Sequence, residues 1–194
     1  ANIGLPKPLA VIKATQYMNI EQMKLSDLMT LHKICCEAYM QNFFDHWESG
    51  GLEDYINKEF GLDTLKTELS DKNIQYYVAF INGEPVAFMK INLMSNLPDL
   101  DAEKGLELNR IYILPQFKGL KIGKRLLDLA FDIAKSNKKE IVWLLVIDTN
   151  QAAISFYEKA GFQFHSKTQI DYPKFKEELK GTWRMYCDLS KSNT

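Results

Sequence analysis

Seven consecutive apolar residues, Ile141-Val-Trp-Leu-Leu-Val-Ile147, constrain the fold of this chain more than any other stretch. The run is far short of the roughly 20 residues that cross a bilayer. Its branched and aromatic side chains favour extended backbone. Apolar residues at both parities predict a strand buried on both faces. Such a strand needs a sheet with a helical layer on each side. The sequence around it supplies the layers. Over residues 119–136, Ile122, Leu126, Leu129, Ala130 and Ile133 form an apolar stripe at helical spacing. Thr149 or Asn150 caps a shorter helix that runs to Lys159 and stops at Gly161. Residues 162–168 and 183–189 read as closing strands.

The upstream half fits the same scheme. Residues 17–23 form a first strand. Ser26 is the expected N-cap of a helix over 27–44, with Leu28, Leu31, Cys35, Tyr39 and Met40 on one face. Shorter helices are expected over 52–60 and 63–69. Residues 76–81 and 85–93 make a hairpin around Asn82-Gly83, a pair that favours the primed turns. Residues 106–114 form a strand that Pro115 stops. The fold class is therefore α/β: a single mixed, largely antiparallel sheet flanked by helices. At 194 residues and 22.4 kDa, 46% hydrophobic and 25% charged, the chain has the size and composition of one globular domain. That domain is expected over 17–189, with an extension over 1–16 and a tail over 190–194.

The net charge of −1 argues against a nucleic-acid binder, and no stretch has the length of a membrane span. Residues 1–9 lack the basic-then-apolar layout of a secretory signal. The three cysteines show no metal-ligand spacing. They read as thiols of a reducing compartment, so a cytoplasmic location is expected. Beneath the near-zero total lies an asymmetry. Residues 41–63 carry six acids against Lys58, and residues 118–139 carry seven bases against Asp128 and Asp132. One region could draw a cation and the other an anion; solvated helix faces would look the same.

The sharpest local signal is Leu106 to Arg125, LELNRIYILPQFKGLKIGKR. A strand ends at Pro115, and a loop bearing Gly119 and Gly123 opens a long helix. Such a junction turns free N–H groups and the positive end of the helix dipole toward one spot. Lys118, Lys121, Lys124 and Arg125 add charge, so a phosphate site is expected; packing alone also produces such turns. Neither the P-loop nor the Rossmann spacing of glycines is present. A second signal is Asn150 to Phe162, NQAAISFYEKAGF. Asn150 and Tyr157 lie two helical turns apart, on one face.

Together these motifs resemble the GNAT superfamily of N-acetyltransferases. Gln116, Gly119 and Lys121 stand at the positions of its Gln/Arg-x-x-Gly-x-Gly/Ala signature, followed by Ile122-Gly123 and Leu126-Leu127. Lys121 departs from the small residue that the signature carries. The N-x-x-A-x-x-F-Y-x-x-x-G-F pattern is met at Asn150, Ala153, Phe156, Tyr157, Gly161 and Phe162. Within the superfamily, the stretches 106–113, 119–124 and 137–144 look most like PaiA-type polyamine N-acetyltransferases.

The resemblance implies acetyl-CoA as donor and a small-molecule amine, such as spermidine or spermine, as acceptor. A protein or peptide amine, an aminoglycoside, or a non-catalytic acyl-CoA-binding module are the alternatives. It implies a cofactor site at Ile111, Tyr112, Ile113, Lys118, Gly119, Leu120, Lys121, Ile122, Gly123, Lys124, Asn150, Ala153, Tyr157 and Lys159. Tyr157 would give a proton to the leaving thiolate, and backbone N–H near Tyr112 would meet the carbonyl oxygen. Strand alternation places Glu107, Asn109, Ile111 and Ile113 on one face. Glu107 aligns with the base of histone-type members, with His46 and His165 as fallbacks. Asp45, Glu48, Asp54 and Asn109 are the expected acceptor contacts. The resemblance also implies a homodimer through the late strands near 183–189.

Overall fold

The computed structural model describes residues 17–99 and 101–191. The expected extension over 1–16 and the end of the tail, 192–194, lie outside the described residues. Strand β1 (Met18–Gln22) leads through a 3₁₀ turn into α1 (Leu28–Phe43), α2 (Gly51–Phe60) and α3 (Leu62–Ser70). The hairpin β2 (Ile74–Ile81) and β3 (Glu84–Asn92) follows, then β4 (Gly105–Ile113) and α4 (Ile122–Ser136). Strand β5 (Ile141–Ile147), α5 (Gln151–Lys159), β6 (Gln163–Gln169) and β7 (Gly181–Asp188) complete the chain.

The strands form one seven-stranded sheet in the order β1-β2-β3-β4-β5-β7-β6. Every pairing is antiparallel except β4 with β5, which α4 connects. Helices cover both faces of the sheet, but on β5 itself the face away from α4 is met at Ile141 and Trp143 by Leu97 and Tyr186 and not by a helix, contrary to the expected two-sided helical cover. On one side Ile122, Leu126, Leu127, Ala130 and Ala134 of α4 and Ile154 of α5 pack on Ala79, Met89, Leu106 and Val142. On the other, Leu31, Ile34, Cys35 and Tyr39 of α1 with Phe60 and Leu65 pack on Tyr76, Val78 and Phe88. Burying each large apolar side chain contributes about 1.5–3 kcal/mol, so this double core holds the sheet between its helices.

Local chemistry matches the sequence signals with one exception. Asn82 and Gly83 take φ of 51° and 85°, as a primed turn demands. Asn150 Oδ1 accepts the Ala153 N–H at 3.1 Å, which caps α5. At its far end Phe162 N–H reaches Tyr157 C=O and Gly161 N–H reaches Glu158 C=O, the paired bonds of a Schellman stop. The exception is Ser26, which does not cap α1. Asp27 occupies that position, and its carboxylate instead takes the Lys24 N–H at 2.9 Å, closing the preceding 3₁₀ turn.

Two features of the sheet shape the site. Strands β4 and β5 pair only from Gly105–Glu107 to Ile141–Trp143, then part. Leu145, beyond that point, is 45% exposed. β4 also carries a bulge: Lys90 faces Arg110 while Ile91 faces Leu108, leaving Asn109 as the extra residue. The bulge resets the alternation. Leu106, Leu108, Ile111 and Ile113 all join the core on the α4 side. Glu107 and Asn109 therefore do not share a face with Ile111 and Ile113, contrary to simple alternation. Finally, β7 lies between β5 and β6, so the open sheet edge at this end is β6 and not residues 183–189.

Candidate active site

A cavity of about 360 Å³ opens where β4 and β5 part. Asn109 to Ile113 of β4 form one wall and Leu145 to Ile147 of β5 the other. The start of α5 contributes Asn150, Ala153 and Tyr157, and Lys118 enters from the loop before α4. Of the expected cofactor residues, the fold thus brings Ile111, Tyr112, Ile113, Lys118, Asn150, Ala153 and Tyr157 to one cavity.

Gly119, Leu120, Lys121 and Lys124 are exposed at the start of α4 beside this wall, whereas the side chain of Ile122, an expected cofactor residue, is buried in the core. Gly119 has φ of 85°, and a Cβ built there would meet nothing within 4 Å, so the loop is open to a large ligand. Among the described residues, the first N–H of the helix bonded to a backbone carbonyl is that of Arg125, to Lys121. The N–H groups before it are left for an anion. Lys121, where the signature wants a small residue, sits in the left-handed region at φ 60° as the helix N-cap. Asn42 ties this loop to the scaffold. Its Nδ2 donates to Ile113 C=O at 2.9 Å and its Oδ1 accepts Lys118 Nζ at 2.7 Å. Two expected cofactor side chains are turned elsewhere. Lys124 pairs with Asp128 at 2.7 Å. Lys159 is exposed and off the cavity, because two residues beyond Tyr157 is about 200° around the helix.

Tyr157 is held by Phe156 and Phe162, with ring centroids 5.2 and 5.6 Å away. Burial raises its pKa to about 12. Its hydroxyl therefore stays protonated at neutral pH.

The opposite end of the cavity is aromatic. Tyr39 and Phe43 of α1, Trp47, Tyr55 of α2, Tyr112 of β4, and Tyr172 and Phe175 of the 170–180 connection line it. Tyr39 stacks on Tyr55 at 4.3 Å and on Phe43 at 4.7 Å, and Trp47 meets Phe175 edge-on at 4.9 Å. The connection is strapped down by a bridge between Trp47 and Phe175 and by Glu48 N–H to Lys174 C=O. Gly51 makes this approach possible, since a Cβ there would lie 2.8 Å from both Lys174 Cβ and Trp47 Cε3. Behind the rings, Arg110 donates to Glu59 at 2.8 Å and to the Tyr55 hydroxyl at 3.2 Å, and Tyr172 donates to Glu59 at 2.5 Å. Burial pushes the Glu59 carboxyl up, but Tyr172 and Arg110 outweigh it and hold it below the ordinary range.

The expected acceptor acids are not in this chamber. Asp45 is exposed and paired with His46 at 2.7 Å, a bond that lowers its pKa. Asp54 is 67% exposed and binds Lys174 at 2.5 Å, and Glu48 is exposed beside the same lysine. An acidic stretch of loop and short helix turns its charges to water and its rings inward. Asn109 does line the cavity. Glu107 does not: it is 8% exposed and accepts from Asn92, Ser95 and Asn109, each at 2.8 Å. Glu107 lies on the stretch of β4 still paired with β5, opposite Trp143 and before the strands part, so it reaches the cavity only through Asn109. His46 and His165 also lie off the cavity, His165 against Ser166 at 2.9 Å on β6. Sequence reasoning missed Arg110, Asn42, Thr182 and most of the rings. Only the Tyr39/Phe43 pair, four apart on one helix, left a readable signal.

Residues 32–162 match the family described as "Acetyltransferase (GNAT) family", and the chain belongs to that family. It is an N-acetyltransferase. A spermidine N(1)-acetyltransferase of Thermoplasma acidophilum is 28% identical over 161 residues, covering 80% of this chain and 95% of the relative. An uncharacterized N-acetyltransferase of Methanocaldococcus jannaschii is 33% identical over 151 residues, covering 77% and 61%. The crystal structure of a PaiA N-acetyltransferase from Thermoplasma acidophilum, in complex with coenzyme A, matches with a TM-score of 0.69 at 23% identity over 89% of this chain and 99% of that one.

Proposed function

We propose that the chain transfers an acetyl group from acetyl-CoA to the primary amine of a small molecule, at the point where the two halves of the cavity meet. The observation that carries this is Tyr157: an enclosed, protonated hydroxyl on the cavity wall beside the parted strands. The open Gly119 loop, the free N–H groups that precede Arg125, and the gap between β4 and β5 suit a long, phosphate-bearing donor.

Acetyl-CoA supplies the acetyl group as a thioester. An alkylamine with a pKa near 10 is only about 0.1% neutral at pH 7, and the neutral form is the nucleophile. The aromatic chamber favours that form by excluding water. As the new N–C bond forms and the C–S bond breaks, the nitrogen sheds one proton and the sulfur gains one. Tyr157 gives the proton to sulfur and recovers one from solvent. Backbone N–H groups of β4 beyond its last pairing with β5 stabilise the carbonyl oxygen. Asn109 positions the amine, and Glu107 acts through Asn109 by fixing its amide.

A polyamine acceptor is the second reading, favoured by the similarity to the spermidine N(1)-acetyltransferase. Aromatic faces attract ammonium groups, and the outer acids Asp45, Glu48 and Asp54 would draw a polycation toward the protein. The cavity lining weighs against it, for its charged residues are Arg110 and Lys118. Free cysteines at 35, 36 and 187 suit a reducing, cytoplasmic setting. Among the described residues, no helix is long and apolar enough to cross a membrane. The test is acetyl-CoA turnover against spermidine, spermine, an aminoglycoside, a peptide and simple monoamines. Binding of acetyl-CoA with no amine acetylated would make the chain a non-catalytic module.

A further inference from the structure

Four of the five buried side-chain polar atoms that lack a hydrogen-bond partner among the described residues belong to residues that line this cavity. Two of them specify a ligand: Arg110 Nη1 and Asn109 Oδ1. A buried polar group left unpaired costs about 1–3 kcal/mol, so a cavity that gathers several is built to have them met by what it binds.

Each atom states what it needs. The Arg110 side chain is 10% exposed, and its Nη2 is taken by Glu59 and Tyr55. Nη1, near Tyr112, remains a charged donor. A carboxylate is its best complement, because charge-assisted bonds to guanidinium are the strong ones. The orientation of Asn109 follows from its neighbour. Glu107 as a carboxylate only accepts, so the Asn109 NH₂ faces it at 2.8 Å and Oδ1 is the free end. That oxygen needs an N–H donor. Asn109 and Arg110 are consecutive at the bulge, and both line the cavity. Around them stand seven aromatic rings and no carboxylate among the described lining residues. A polycation would place its extra charges against Arg110 with nothing to neutralise them, whereas a ring-sized apolar body fills the chamber.

Resting on the N-acetyltransferase reading but not on the polyamine one, we propose that the acceptor is an amino carboxylate with an apolar or aromatic body. Arg110 takes its carboxylate and the Asn109 carbonyl takes its amine. Arg110 then selects the substrate, and Asn109 aims the nitrogen at the acetyl group.

The experiment compares L-phenylalanine, phenethylamine and spermidine as acceptors with saturating acetyl-CoA. Phenethylamine is phenylalanine without the carboxylate. L-phenylalanine is expected to exceed phenethylamine in kcat/KM by about 10–100-fold, the worth of one charged hydrogen bond, and spermidine by more. In Arg110→Lys the ratio of the first two should collapse toward one. Should that variant not fold, the ratio in the unaltered protein decides by itself. Spermidine as the best acceptor, equal rates for the first two, or a ratio unmoved in a folded Arg110→Lys would overturn the proposal. If none of the three is acetylated, the small-amine acceptor reading fails. The subsite is then judged by calorimetry of L-phenylalanine with the coenzyme A-bound protein. Binding that weakens at least about tenfold in Arg110→Lys supports it, and no binding at millimolar concentration refutes it.

Discussion

At one end of the cavity, the loop at Gly119 and the parted strands β4 and β5 present backbone groups. At the other, Tyr39, Trp47, Tyr55, Tyr172 and Phe175 present rings from α1, the α1–α2 loop, α2 and the 170–180 connection. The first wall asks of the sequence only small residues and a helix start in a short window. The second asks that distant segments converge, and it holds them with Arg110, Glu59 and strap contacts. The backbone wall suits the part of a reaction shared by many enzymes, the donor. The side-chain wall suits the part that differs, the acceptor. Changes at the two walls should therefore separate in their effects.

The largest effect is expected from Glu59→Gln, which strips the buried Arg110 of its counter-charge. Breaking such a pair costs about 3 kcal/mol, or about 6–12 °C in Tm for a chain of this size. The pH dependence checks the mechanism. The folded Glu59 carboxyl titrates below its unfolded value of about 4.3, so its contribution is present above that pH and lost as pH falls through the lower folded value. The deficit of the variant, measured by urea unfolding, should shrink between pH 7 and pH 3.5. A deficit that stays constant across that range would mean that packing, not charge, holds the strap.

Next comes Tyr157→Phe, which keeps the ring against Phe156 and Phe162 and removes the proton. A loss of about 10²-fold in kcat is expected, with acetyl-CoA binding by calorimetry within about threefold. Turnover equal to the parent would make Tyr157 a packing residue alone.

Gly119→Val tests the backbone wall. A branched residue at φ 85° costs about 1–3 kcal/mol and has space but not conformation, so the loop must shift. Acetyl-CoA KM should rise about tenfold while acceptor KM moves less than about threefold. Equal changes in both would show that the two walls are one unit. The smallest effect is expected from Lys121→Gly. Releasing the left-handed strain gains about 1–2 kcal/mol, offset by about 0.5–1 of unfolded-chain entropy. The net gain of about 0.5 kcal/mol should appear as about 1–2 °C in Tm.

Much of the fold was legible because its signals are local. The Asn82-Gly83 turn, the α4 stripe, the Asn150 cap and the Gly161 stop each lie within a few residues, where steric and hydrogen-bond rules act directly. The run 141–147 is covered by α4 and α5 on one face, where Val142, Leu144 and Val146 lie, whereas on the other Ile141 and Trp143 meet Leu97 and Tyr186, and Leu145 is open because β4 has parted from β5. Tyr157 and the α4 loop were legible for the same reason: a cap and a helix period suffice to aim a ring or a row of N–H groups.

Net charge over residues 41–63 could not reveal that Asp45, Glu48 and Asp54 turn to water while Tyr55 and Trp47 turn inward. That choice is made by burial against a strap more than 100 residues away. Nor could strand alternation place Glu107, because one inserted residue at Asn109 exchanges the faces and no rule of propensity announces it. The sequence alone determined the sheet-and-helix order, the donor loop and the tyrosine, each through short-range geometry. Tertiary structure decided the acceptor chamber, where Arg110, Glu59, Tyr55 and Tyr172 meet only because desolvated charges and rings from three segments satisfy one another in the folded chain.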